Sequence, residues 1–199
     1  MKIIRTFLTS FTVLAIPFLL IMTAIRLVMT PLFLQFEYNL PGFPPDPYGF
    51  EKADRMHWSR FALDYLFNDA DASYLGDLRF EDGSPLYNER ELSHMVDVKV
   101  LVQQMLAAWV ALGLVLVGTA LLAWRTGWLG DFWQSVSYGG WLSLALVIAV
   151  LIFVVLSFNA LFTGFHRIFF EGDIWLFYMS DTLIRLFPMR FWQDGFILV

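Results

Sequence analysis

The sequence contains no cysteine, which excludes a thiol nucleophile, a disulfide frame and any cysteine-ligated metal. Histidine is scarce: His57, His94 and His166 are the only three in 199 residues. No His-Glu-x-x-His helix or other ligand-dense stretch accompanies them, so no metal site is expected. A Gly-x-Ser-x-Gly elbow is missing too, leaving a covalent acyl-enzyme without an obvious nucleophile. Charge is thin at 16% of residues, and the net charge of −5 lacks the basic stripe that a nucleic-acid binder needs to displace counterions from phosphates. Acid–base chemistry without a cofactor is what remains.

Apolar residues fill the space that charge leaves. A composition that is 58% hydrophobic is not that of a soluble globule; it is that of an integral membrane protein. After Lys2 and Arg5, Thr6 to Ile25 runs for twenty uncharged residues, enough to cross ~30 Å of hydrocarbon as a helix. That run is too long for the core of a cleaved signal peptide, and no small-x-small cleavage site follows it. Pro17 is expected to kink it. Arg26 then precedes a further uncharged run, Leu27 to Phe36, so it either snorkels to the interface or faces a polar cavity. A second span is expected within Val100–Trp124 and a third from Val136 to Phe162, joined by a turn near 125–133 with Trp124, Trp128 and Trp133 as interfacial anchors.

The acidic residues are concentrated: 13 of the 18 lie between Glu37 and Asp97, against five Lys or Arg. Residues 37–93 therefore read as a solvated module between the first membrane segment (1–36) and the remaining membrane domain (94–199). Its linker, NLPGFPPDPYG, holds neither helix nor central strand. Lys52 to Phe67 has helical spacing at Trp58, Phe61, Ala62, Tyr65 and Leu66, predicting a short amphipathic helix. Leu78 to Tyr87 reads as a hairpin turning at Asp82-Gly83, which makes the module α+β. Asn88 and Glu91 fit a capping box whose helix runs on through His94 and Asp97 into the second span. After Pro188 a charge-free run has barely begun at Gly195, so the fold expected is a membrane all-α bundle of three complete spans and a truncated fourth, with an extracytoplasmic α+β module. The alternative for the C-terminal part is a re-entrant or surface helix over Ile174–Phe187. The N-terminus is placed in the cytoplasm by its positive pair, which puts the 164–190 loop outside.

His166 ends one long uncharged run and His94 precedes another, so antiparallel helices bring both imidazoles to one depth. Imidazole can take and give protons near neutrality, and a pair could serve both halves of an acyl transfer. Each is alternatively an interfacial residue bonded to backbone, and His57, beside Met56 and Trp58, is read that way. Asp97, three positions after His94, is close enough on a helix to influence its ring. Trp175 and its neighbouring phenylalanines would suit a site that grips acyl chains. A proton-coupled transporter would place ionisable groups at mid-bilayer, where the second and third spans have none.

The stretches ELSHMVDVKVLV (Glu91–Val102), FHRIFFEGDIWLF (Phe165–Phe177) and DTLIRLFPMRFW (Asp181–Trp192) resemble the bacterial lipoprotein intramolecular transacylases and their wider family of small integral membrane proteins. The resemblance implies four membrane helices in the bacterial cell membrane and an outward-facing active site. It also implies O-to-N transfer of the sn-2 acyl chain of a diacylated lipoprotein's N-terminal cysteine to its own α-amine. The family's two histidines map onto His94 and His166, with Met95 inside the His-Met motif. The resemblance puts the base at His166; His94 is then expected to donate to the developing oxyanion or the departing glyceryl oxygen, Asp97 or a backbone carbonyl to orient an imidazole, and Arg26 and Arg167 to hold a headgroup or stabilise the oxyanion. A non-catalytic membrane protein that binds lipid or lipoprotein is the competing expectation.

Overall fold

The computed structural model describes residues 2–199. Its helices, in chain order, are α1 (Lys2–Val28), α2 (Pro31–Glu37), α3 (Lys52–Phe67), α4 (Ser73–Gly76), α5 (Glu89–Thr126), α6 (Leu129–Phe169), α7 (Thr182–Leu186) and α8 (Met189–Leu198). Three of them, α1, α5 and α6, are long and apolar enough to cross a membrane. Protein covers only 22% of the most apolar window of α1 and 11% of those in α5 and α6. Water would penalise that exposure by ~25 cal/mol per Å² of apolar surface, and hydrocarbon does not.

The chain divides into two compact units. One draws on the chain up to Leu27, on Gln104–Ile152 and on Val199. Here the end of α5 meets the beginnings of α1 and α6: Ala123, Trp128 and Phe132 are buried together against Leu8, Leu129 and Val136, and Arg5 pairs with Asp131. Gly127, at φ +79°, takes the left-handed conformation that lets the chain leave α5 and re-enter a helix two residues later. Gly139 lets α1 and α6 approach closely, for a Cβ there would lie 2.6 Å from Cβ of Ile16. Trp109 of α5 donates to Thr23 of α1 at 3.2 Å. Helix α1 continues through Pro17.

The second unit comprises Val28–Gln103 and Phe153–Leu198. Its centre is α3, which spans the stretch that helical spacing predicted. The buried face of α3 includes Arg55, Ser59, Ala62, Leu63 and Leu66. Around it gather Leu75, Leu86, Met95, Leu183 and Leu186 on one side and Phe33, Leu34, Tyr38 and Phe191 on the other. Arg55 donates to the carbonyls of Arg185 (2.8 Å) and Pro44 (2.7 Å), and Arg185 pairs with Asp46 at 3.0 Å, so the Pro-rich linker is pinned to α3 and α7. Lys99 of α5 reaches Asn68, just past the end of α3, at 3.1 Å, where a cation suits the exposed carbonyls.

Two expectations are corrected and a third is refined. The module is helical and not α+β: the expected hairpin shrinks to one isolated bridge, Arg79 with Pro85. Gly83 does take the positive φ that the turn needs (+82°), but Pro85 has no N–H to continue a ladder. The expected third span, 136–162, lies within α6 but contains a break. Ser157 (φ −164°, ψ 85°) interrupts α6, and its Oγ accepts from Ala160 N as a helix cap would, starting a separate last segment. The truncated fourth span is replaced by α8, which begins earlier, carries the Arg190–Asp194 pair and buries Phe191 in the second unit. Residues 174–187 hold a loop and the five-residue α7 in place of a re-entrant helix.

Candidate active site

Helix α5 starts at the capping box read from the sequence. Asn88 Oδ1 accepts from Glu91 N at 3.0 Å, and Glu91 Oε2 accepts from Asn88 N at 2.9 Å. The other oxygen of Glu91, a residue 1% exposed, accepts from Leu183 N at 2.6 Å and ties α5 to α7. One turn further along α5 is His94. His166 lies on the segment of α6 that begins after Ser157, on one face with Phe162 and Phe170 at four-residue spacing.

The two imidazoles are brought together. Their centroids are 5.9 Å apart and their planes 24° from parallel, and both residues are buried, at 7% and 9% exposure. Aromatic rings enclose them. Phe170 touches both, at 4.9 Å from His94 and 5.6 Å from His166. Phe177 is 5.3 Å from His94, while Trp175 and Phe162 are 4.9 and 4.1 Å from His166. Nδ1 of His166 lies 2.8 Å from the carbonyl of Phe162. A carbonyl only accepts, so this nitrogen carries the proton and Nε2 keeps its lone pair in the neutral ring. Nδ1 of His94 is buried, and no group among the described residues bonds to it.

Of the other residues singled out from sequence, Trp175 joins the histidines, and Met95, Asp97 and His57 have no ring contact or hydrogen bond with them. Met95 is buried in the core beside Leu86 and Leu183. Asp97 is exposed, and no hydrogen bond joins it to His94. Arg167 is exposed, and Arg26 is exposed on the last turn of α1. His57 is exposed and rests edge-on against Trp58 at 4.5 Å. Phe170 and Phe177, two of the phenylalanines noted beside Trp175, also reach the histidines, whereas sequence reasoning missed Phe162, which the four-residue spacing to His166 would have revealed, and Arg90, which donates to the Leu176 carbonyl at 2.9 Å. It also missed Glu37, fully buried at the end of α2 with no donor to either oxygen. Burial, and then the Asp194 carboxyl beside it, push Glu37 up to about 7, against a smaller opposite pull from Arg190.

Fold and site together define a helical integral membrane protein that buries a pair of imidazoles under aromatic rings. Within that class, the chain belongs to the lipoprotein intramolecular transacylase (Lit) family, whose model matches residues 10–192. An uncharacterised protein of Aquifex aeolicus is 26% identical over 195 residues, covering 98% of this chain and 87% of that protein. The in meso structure of the membrane integral lipoprotein intramolecular transacylase Lit from Bacillus cereus superposes with a TM-score of 0.75 at 21% identity, over 97% of this chain and 87% of that one. The fold is thus shared with a membrane protein, and the family resemblance read from the three sequence stretches holds.

Proposed function

We propose that the protein transfers the sn-2 acyl chain of a diacylated bacterial lipoprotein from the glyceryl oxygen of the N-terminal cysteine to that residue's own α-amine, leaving a lyso-form lipoprotein. The observation that carries the proposal is the imidazole pair. With centroids only 5.9 Å apart, both rings are close enough to reach the substituents of one tetrahedral centre. Nucleophile and ester belong to one substrate, so no residue needs to be acylated. Holding them in register can contribute ~7–11 kcal/mol towards the barrier.

His166 is the base. Its Nδ1–H is occupied by the Phe162 carbonyl, which fixes the ring and points the lone pair of Nε2 to the substrate. It takes the proton of the attacking amine. His94 donates a hydrogen bond to the developing oxyanion or to the departing glyceryl oxygen, and the proton that His166 took from the amine passes to that glyceryl oxygen, leaving both imidazoles neutral. The site faces outward with the N-terminus in the cytoplasm, and the partners are the lipoprotein and the surrounding membrane lipid. Mass spectrometry of a lipoprotein's N-terminal peptide, with and without this protein expressed, tests the reading: N-acylated lyso product is expected only with the protein. Its equal formation by His166→Asn would remove the catalytic assignment.

A further inference from the structure

One strap of chain covers both imidazoles, and its side chains alternate. Along Trp175–Leu176–Phe177–Tyr178, Trp175 is buried and Phe177 half-buried over the histidines, while Leu176 and Tyr178 are exposed at 47% and 67%. Between two turns, closed by Leu176 N donating to the Asp173 carbonyl and Asp181 N donating to the Tyr178 carbonyl, Trp175 and Phe177 are set against the imidazoles and Leu176 and Tyr178 stay exposed. The strap is anchored at several points. Trp175 Nε1 donates to the carbonyl of Gly172 at 3.0 Å, and Gly172 sits at φ +65°. Arg90 donates to the Leu176 carbonyl at 2.9 Å and lies 5.2 Å from the Tyr178 ring. Asp181 accepts from Tyr178 N at 2.8 Å and from Asn88 at 3.1 Å. Arg90 and Asn88 belong to the start of the helix that carries His94, so the strap is fastened to the site it covers.

A base that can deprotonate an amine can also deprotonate water, and an ester poised for one nucleophile is open to the other. The two outcomes differ in atoms. In transfer, the amine nitrogen bonds to the acyl carbon, the bond from that carbon to the glyceryl oxygen breaks, and the amine's proton passes through imidazole to the glyceryl oxygen. In hydrolysis, a water oxygen bonds to the same carbon and the same bond breaks. The glyceryl oxygen is again protonated, but a free fatty acid leaves and the α-amine stays unacylated. Two histidines do not choose between these by themselves. Holding the amine in register favours transfer, and exclusion of water suppresses the competing hydrolysis. A dry enclosure also disfavours the ammonium form of the α-amine, whose ordinary pKa of about 8 would otherwise leave it mostly charged at neutral pH.

We propose that Phe170, Trp175 and Phe177 form a water barrier that makes this site a transferase rather than an esterase, with Arg90 as the positioning residue that holds the strap shut. The proposal rests on the transacylase reading above. The test uses the full chain in lipid nanodiscs, a synthetic diacylated lipopeptide and water enriched in ¹⁸O, with the N-acyl lyso peptide and labelled free fatty acid quantified together. Wild type is expected to give the amide with little labelled acid. In Trp175→Ala and Phe177→Ala the ratio of labelled acid to amide should rise by about tenfold or more, and Trp175→Phe should restore it. Should Trp175→Ala not fold, Arg90→Ala carries the test, since Arg90 contacts the strap at Leu176 and Tyr178. Loss of amide in all these variants with no rise in labelled acid would overturn the barrier, reducing the rings to supports for the histidines. No amide from wild type would sink the transacylase reading itself and the barrier with it.

Discussion

If the two imidazoles act on one tetrahedral centre, removing the second should cost little once the first is gone. His166→Asn is the informative single change. The Asn amide nitrogen sits roughly where Nδ1 was and can keep donating to the Phe162 carbonyl, while Nε2 disappears. Loss of a positioned general acid or base lowers the rate by about 10²–10⁴, or roughly 3–5 kcal/mol. His94→Asn should fall in the same range. Residues in contact do not add, and these rings are 5.9 Å apart with Phe170 against both. The double variant should therefore stay within about tenfold of the slower single one, the residual rate coming from substrate positioning alone. Single-turnover conversion of a diacylated lipopeptide in nanodiscs measures all four corners of the cycle, with thermal unfolding to verify folding. An additive double, slower than wild type by about 10⁴–10⁸, would refute a shared centre.

Three further outcomes are expected. Glu37, raised to about 7, binds its proton more tightly folded than unfolded, so its destabilising effect grows as pH climbs from the ordinary glutamate range to about 7 and is complete above it. Thermal stability in detergent should fall between about pH 5 and 8, and Glu37→Gln should flatten that dependence and stabilise the protein at pH 8, by on the order of 1–3 kcal/mol. Gly139→Ala would drive a Cβ to 2.6 Å from that of Ile16 and 3.0 Å from the Val13 carbonyl, forcing α1 and α6 apart at a cost of about 1–3 kcal/mol seen as a lower unfolding temperature. Glu91→Ala would leave the buried N–H groups of Leu183 and Asn88 without their acceptor, costing roughly 2–4 kcal/mol in unfolding measurements and slowing conversion through the loosened start of the His94 helix.

What could be read from the sequence is what rests on period and local chemistry. The three apolar helices follow from charge-free length, α3 from its spacing, and the start of α5 from the Asn88–Glu91 box. The convergence of His94 and His166 followed from antiparallel helices alone. Less visible was anything decided by one polar atom inside an apolar run: Ser157 carries no signal in the hydropathy of α6, yet its backbone leaves the helical region. The hairpin failed for a similar reason, since Asp82-Gly83 announced the turn but Pro85 removed the donor that a strand pair needs. Glu37 was illegible because it is one of twelve carboxylates in residues 37–93 and, unlike Glu91 with its capping box, carries no local signal of burial; Arg90 was illegible because its partner Leu176 is 86 positions away.

Asp97 shows most sharply where side-chain spacing misleads. Asp97 and a backbone carbonyl were both open as the orienting group; Asp97 is exposed, and the hydrogen bond that orients a ring of the pair, at His166, comes from main chain. The carbonyl of Phe162, one turn before His166, takes the Nδ1 proton, a contact encoded in helix register and in the identity of residue 166 alone. Chemically the difference matters. A carboxylate partner would bring a negative charge into a site enclosed by Phe162, Phe170, Trp175 and Phe177, where it would need its own compensating donors. It would also sit beside the place where an oxyanion has to form. A neutral carbonyl fixes the same tautomer without that charge. Aromatic walls can then close directly on the imidazoles, and a site built this way holds its base in position while remaining dry.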